Sequence, residues 1–222
     1  DEYSDLDLAI VCSDDAVEDV FEFIEKWVEE NLGIERKFRV PEPAWHGFSQ
    51  VYYQVSNVPA LFYLDISVLK KSLPEKFTES DRHGNSLIWF EKDKVIDPTP
   101  TPQEMVQRKA EQFYKIATQA NFITVLEIKK AVARRNYTEA FPVYYQFIAR
   151  NLGIMLNLKY RPCKVDFGLR YGYRDYDKQD VELIDSSLRV STIEELESKF
   201  RIAEHRFLEL KNELKTVYGH DK

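Results

Sequence analysis

Asp1-Glu-Tyr-Ser-Asp5-Leu-Asp7-Leu-Ala-Ile-Val-Cys12 opens the chain, and its apolar part, Leu6 to Cys12, reads as a buried β-strand. Asp5 and Asp7 stand two residues apart at the mouth of that strand, so their side chains project from one face. Two acids on one face repel, and a cation between them relieves the repulsion. A third acid, Asp65, interrupts a second apolar run, Ala60-Leu-Phe-Tyr-Leu-Asp-Ile-Ser-Val68. An ionisable group in such a strand is costly unless it is paired or ligates a metal. If the two strands are neighbours, three carboxylates converge, and hard oxygen donors of this kind suit Mg²⁺. The plainer alternative makes Asp5 an acid at the start of a strand and Asp7 a salt-bridge partner.

Outward from that stretch, Ser13-Asp14-Asp15 supplies capping and first-turn acid for an amphipathic helix from Ala16 to about Leu32, which Gly33 ends. Ile34 to Val40, Phe48 to Val55 and Ala60 to Leu69 read as strands, the last two joined through a turn at Ser56 to Pro59. Leu87 to Glu91 and Val95-Ile96 are expected to add short strands. Asp97-Pro-Thr-Pro-Thr-Pro102 excludes helix and sheet and marks a boundary. Beyond it the apolar spacing is helical. Thr101 to Glu104 and Ser191 to Glu194 look like capping boxes, and a helix from about Glu139 to Leu158 holds Pro142 in its first turn. The expected fold class is α+β: a mixed sheet with flanking helices over residues 1–97, then an all-α domain over 98–222.

The 222 residues carry 31 Lys and Arg against 38 Asp and Glu, a net charge of −7, which disfavours nucleic acid as a partner. Cys12 and Cys163 form no ligand spacing or disulfide framework, which suggests a reducing cytoplasm, and no apolar run approaches membrane-spanning length. His46, His83, His205 and His220 show no mutual spacing and are assigned to no metal. Lys129, Lys130, Arg134 and Arg135 form a basic cluster beside Tyr137. It could neutralise a leaving pyrophosphate across an interdomain cleft, or be a solvated helix end favoured by the macrodipole. The stretch Asp166 to Asp175, dense in tyrosine and arginine, is either a functional loop or a set of partners for the helices.

Ser4-Asp5-Leu6-Asp7-Leu8 at the start of a strand, with Asp65 on a later one, resembles the polymerase beta-like nucleotidyltransferase superfamily. Within it, the likeness is to small-molecule enzymes such as the aminoglycoside-modifying nucleotidyltransferases, which also carry a helical C-terminal domain. The resemblance implies in-line attack on an α-phosphate. Asp5 and Asp7 would hold Mg²⁺ against the triphosphate of ATP or another nucleoside triphosphate. Asp65 would share a second ion or take the proton of the acceptor hydroxyl, with Ser4, Lys129, Lys130 and Arg134 on the phosphates. The acceptor would be a small molecule, cationic in the aminoglycoside case, and many such enzymes are homodimers. The family's Gly-Ser turn has no counterpart here, since the sequence begins four residues before Asp5; the expectation is that the natural protein has a preceding segment that supplies it. Two alternatives stand beside this reading: the same transfer onto a protein partner, and a non-catalytic module that keeps the fold.

Overall fold

A computed structural model describes residues 4–44, 46–74 and 76–219. The chain divides into two compact units, Asp1–Thr99 and Pro100–Lys222, the division falling inside the proline-rich connector. The fold is α+β.

In the first unit four strands, β1 (Leu6–Cys12), β2 (Ile34–Arg39), β3 (Ser49–Val55) and β4 (Leu64–Lys70), form one mixed sheet in the order β1-β4-β3-β2. β1 runs parallel to β4, and the other two pairings are antiparallel. Helix α1 (Val17–Leu32) covers one face, burying Val17, Phe21, Ile24 and Val28 against Val51, Tyr53, Val55, Leu64, Ile66 and Val68. Every second strand residue therefore enters this core, and the residues between them line the opposite face. Gly33 closes α1 at φ 73°, a left-handed conformation that glycine adopts without a side-chain clash. At the sheet's edge Arg39 stacks its guanidinium 4.2 Å above the Phe21 ring and pairs with Glu18, while Lys37 pairs with Glu25. These cation–carboxylate contacts tie β2 to α1 where few apolar residues do so.

The expected strands at Leu87–Glu91 and Val95-Ile96 are absent, and this corrects the sequence reading. Beyond the single-turn helix α2 (Ser80–His83) the chain is irregular as far as the connector, with Leu87, Trp89 and Phe90 largely exposed. Glu91 explains part of this. Its carboxylate accepts from the backbone amides of Val95 and Ile96 at 3.0 and 3.2 Å, a local alternative to a sheet ladder.

The second unit is helical. It contains α3 (Gln103–Ala133), α4 (Tyr137–Gln146), a π-helical turn (Phe147–Leu152) and α5 (Gly153–Tyr160), with α6 (Gly172–Asp175), α7 (Lys178–Ser187) and α8 (Ile193–Tyr218) following. Its core joins α3, α4, α5 and α8 through Ile128, Tyr144, Phe147, Leu156, Phe200 and Phe207. Phe147 meets the Phe200 ring edge-on at 5.2 Å, a geometry that adds about 0.5–1.5 kcal/mol to simple burial. Pro142 sits inside α4 rather than in its first turn, because Asn136 caps the helix earlier than expected by accepting from Glu139. Helix α3 starts after Pro102, one residue later than the first capping box places it. The second is shifted by one residue. Thr192 accepts from the Glu195 amide at 3.1 Å, while Glu195 accepts from Ser191 at 2.9 Å. Thr192→Ala should therefore cost about 1 kcal/mol in chemical denaturation, and Glu194→Ala should leave this cap intact.

Part of the Asp166–Asp175 stretch pairs with the helices, while Arg170, Tyr171, Tyr173 and Arg174 stay exposed. Arg161, 6% exposed, donates to Asp175 at 2.8 Å, to Asn157 at 2.6 Å and to the Gly168 carbonyl at 3.0 Å. Asp166 pairs with Lys109 on α3 at 2.7 Å. Nearby, Asp180 is 4% exposed and takes both Arg206 donors at 2.8 Å and the Tyr160 hydroxyl at 2.7 Å. Those hydrogen bonds hold its carboxyl below the usual range against the opposing effect of burial.

Candidate active site

The register of the sheet brings the sequence's three acids to one place. Asp7 is the direct neighbour of Asp65 across the parallel β1–β4 pairing. Both project from the face turned away from α1, and Asp5, two residues before Asp7, precedes them on the same side. Direct neighbours on adjacent strands lie about 5 Å apart, so the acids repel. Burial raises the Asp65 carboxyl first; Asp7 and Asp5 raise it further, while a hydrogen bond from Gln50 and the nearby His46 oppose the rise.

Gln50 was not singled out from the sequence. It is buried on β3 and donates its side-chain amide to Asp65 Oδ1 at 2.7 Å, which fixes one carboxylate oxygen and leaves the other free to turn toward Asp7. Tyr63, just before β4, donates its hydroxyl to Asp5. That hydrogen bond, more than burial, pushes the phenol up to about 12, with Asp65 and Asp7 adding to it. Tyr52, paired with Asp65 across β3–β4, is raised by burial and then by Asp65 and Asp7. The only sequence signal for these residues was the alternation Gln50, Tyr52, Gln54, which places polar and aromatic groups together on the outer face of β3.

The donor chemistry fits a hard divalent cation: three carboxylates, one of them held by an amide and another by a phenol, whose mutual repulsion a cation would relieve. Among the described residues, however, no three His, Cys, Asp or Glu side chains are gathered tightly enough to hold a metal ion in this conformation. A cleft of about 180 Å³ opens toward the C-terminal end of β4, lined by Glu42, Phe48, Ser49 and Lys70, and does not include the acids. The carboxylates lie on an open sheet face instead.

Ser4 is exposed immediately before β1. Lys129 and Lys130 lie near the C-terminal end of α3 in the helical unit, with Arg134 capping it. Lys129 pairs with Glu204 at 3.4 Å, Lys130 with Glu127 at 2.7 Å, and the neighbouring Arg135 with Glu194. Their partners are acids of their own unit, as in a solvated helix end. His220 lies outside the described residues.

No protein-family model matches the chain, and no curated protein matches it. The fold is similar to a crystal structure of an aminoglycoside 6-adenyltransferase from Bacillus subtilis. That similarity covers 97% of this chain and 82% of that one, at 12% identity and a TM-score of 0.46. A likeness this slight says nothing of activity. No helix among the described residues is long and apolar enough to cross a membrane.

Proposed function

We propose that the acid-bearing face of the sheet is a metal-dependent nucleotidyl-transfer site, moving a nucleoside monophosphate, AMP from ATP in the simplest case, onto a small-molecule hydroxyl. The observation that carries this reading is the pairing of Asp7 with Asp65 on neighbouring parallel strands, with Asp5 two residues away. Asp5 and Asp7 would hold Mg²⁺, and Asp65 would share a second ion. When bound, Mg²⁺ supplies neutralisation of charge on the triphosphate and on the departing pyrophosphate. Alternatively to sharing that second ion, Asp65 is the base: its carboxylate takes the acceptor's hydroxyl proton as the new oxygen–phosphorus bond forms and the bond to pyrophosphate breaks. Gln50 keeps that carboxylate turned toward the reacting centre by holding its other oxygen. Ser4, just ahead of β1, is assigned to the phosphates in this reading.

A non-catalytic module with the same fold is the second reading. Formation of pyrophosphate from ATP separates the two in the complete gene product. The transfer reading expects Mg²⁺-dependent release that falls to background in Asp5→Asn and in Asp7→Asn, with unchanged circular dichroism. The module reading expects no release from the wild-type protein.

A further inference from the structure

The register that pairs Asp7 with Asp65 extends across the whole sheet. Asp65 pairs with Tyr52 on β3, and Tyr52 with Phe38 on β2, so one cross-strand row reads Asp7, Asp65, Tyr52, Phe38. Directly paired residues project from the same face, so all four lie opposite α1. Strands lie about 4.8 Å apart, which puts Tyr52 one strand beyond Asp65 and Phe38 about 10 Å beyond it. The Tyr52 and Phe38 rings are near-parallel, at 15° with centroids 6.4 Å apart, and Tyr63 stands tilted against Tyr52 at 6.1 Å. Phe38 is 58% exposed. A large apolar ring left open to water on the acid-bearing face has no packing role in this unit's core, which lies on the other face.

Half of the row is acidic and half is aromatic, and Asp65 is the joint between them. This inference rests on the transfer reading. If Asp5 and Asp7 serve the metal and phosphates and Asp65 takes the acceptor's proton, then the acceptor hydroxyl reaches Asp65 from the side that the metal pair does not occupy. That side is Tyr52 and Phe38. We propose that Tyr52 and Phe38 form the acceptor subsite, a flat shelf that takes a hydroxyl-bearing saturated ring by contact between its C–H face and the aromatic faces. The shelf thereby selects ring-borne over open-chain hydroxyls. Tyr63, bound to Asp5, forms the wall at the acid end of the shelf.

The test uses the complete protein with methyl glucoside and myo-inositol as ring probes and glycerol as the open-chain control. Ligand-observed saturation-transfer NMR without metal should show transfer to ring C–H protons and little to glycerol. The signal should weaken about three- to tenfold in Phe38→Ala and recover in Phe38→Tyr. With Mg²⁺ and ATP, Phe38→Ala should raise the KM for the ring acceptor by a similar factor. It should leave the KM for ATP unchanged. Equal NMR signals in wild type and Phe38→Ala, or equal use of glycerol and rings, would overturn the shelf. A rise in the KM for ATP alone would also overturn it, and would make the rings a platform for the nucleobase. Absence of any AMP transfer by the wild type would remove the transfer reading itself, and the shelf with it. Tyr52→Phe provides a second variant that keeps the ring, and it should behave as wild type in the NMR measurement.

Discussion

Asp65→Asn is expected to lose at least about a hundredfold in transfer rate, the low end of what a positioned base contributes, while the protein without nucleotide becomes more stable. The two effects share one cause. Asp65 is partly buried, faces Asp7 directly, and is raised above the ordinary carboxylate range by burial and by the two neighbouring acids. A carboxyl whose folded pKa lies above its unfolded value contributes stability that is fully present below the unfolded pKa. That contribution is lost as pH rises through the folded pKa. At neutral pH the ionised Asp65 is therefore a net cost to the fold. Asparagine is nearly isosteric, still accepts from Gln50, and carries no charge. The melting temperature of Asp65→Asn should lie above wild type by a few degrees at pH 7, and the gap should close as pH falls below the ordinary aspartate range. Melting curves at pH 7 and pH 3.5 check the sign. A lower melting temperature at pH 7 would mean that the carboxylate is stabilised by something other than Gln50. Sites that trade stability for function commonly behave this way.

Arg161→Leu is expected to destabilise the helical unit by about 1–3 kcal/mol, the cost of leaving buried hydrogen-bonding groups without their partner. The guanidinium is 6% exposed and serves four partners, Asn157, Asp175, the Gly168 carbonyl and the Tyr176 hydroxyl. It also lies 5.0 Å from the centre of the Tyr176 ring. Leucine fills part of the volume but leaves the Asp175 carboxylate without its inward partner, although Arg174 still pairs with it from the exposed side. Urea denaturation should show an earlier midpoint at unchanged slope. Lysine at the same position should rescue little, because it has no planar fork to reach Asn157, Gly168 and Asp175 together. A loss under 1 kcal/mol in Arg161→Leu would mean that the loop is held mainly by apolar contacts such as Val165 and Tyr176.

The sequence carried the local elements well, because their signals are local. Leu6 to Cys12, the α1 stripe with Gly33 after it, and the prolines between the units each depend on a few adjacent residues, and each appears in the structure. Long-range pairing was less visible. That Asp65 would lie directly beside Asp7 depends on the register of strands 58 positions apart, and the sequence expressed it only as a conditional. Gln50, Tyr52 and Phe38 were invisible as site residues for the same reason: they become neighbours of the acids only when β2, β3 and β4 are in register. Leu87 to Phe90 shows the opposite failure. β-propensity describes fit to a pleated, half-buried surface, and these four residues have no partner strand to supply one. The capping box at Ser191 missed by one residue because Glu194 and Glu195 both satisfy the pattern, and only the turn geometry chose Glu195. Arg161 lay in a stretch that read as irregular, and its role depends on Asp175 and Gly168 folding back over α5.

Calorimetric titration of ATP into the complete protein, with and without Mg²⁺, tests most directly whether the Asp5–Asp7–Asp65 face is a metal-dependent nucleotide site. Binding that requires Mg²⁺ in the wild type and disappears in the Asp5→Asn, Asp7→Asn double variant is the predicted result. ATP binding that is equal with and without Mg²⁺, or that survives loss of both acids, would contradict it.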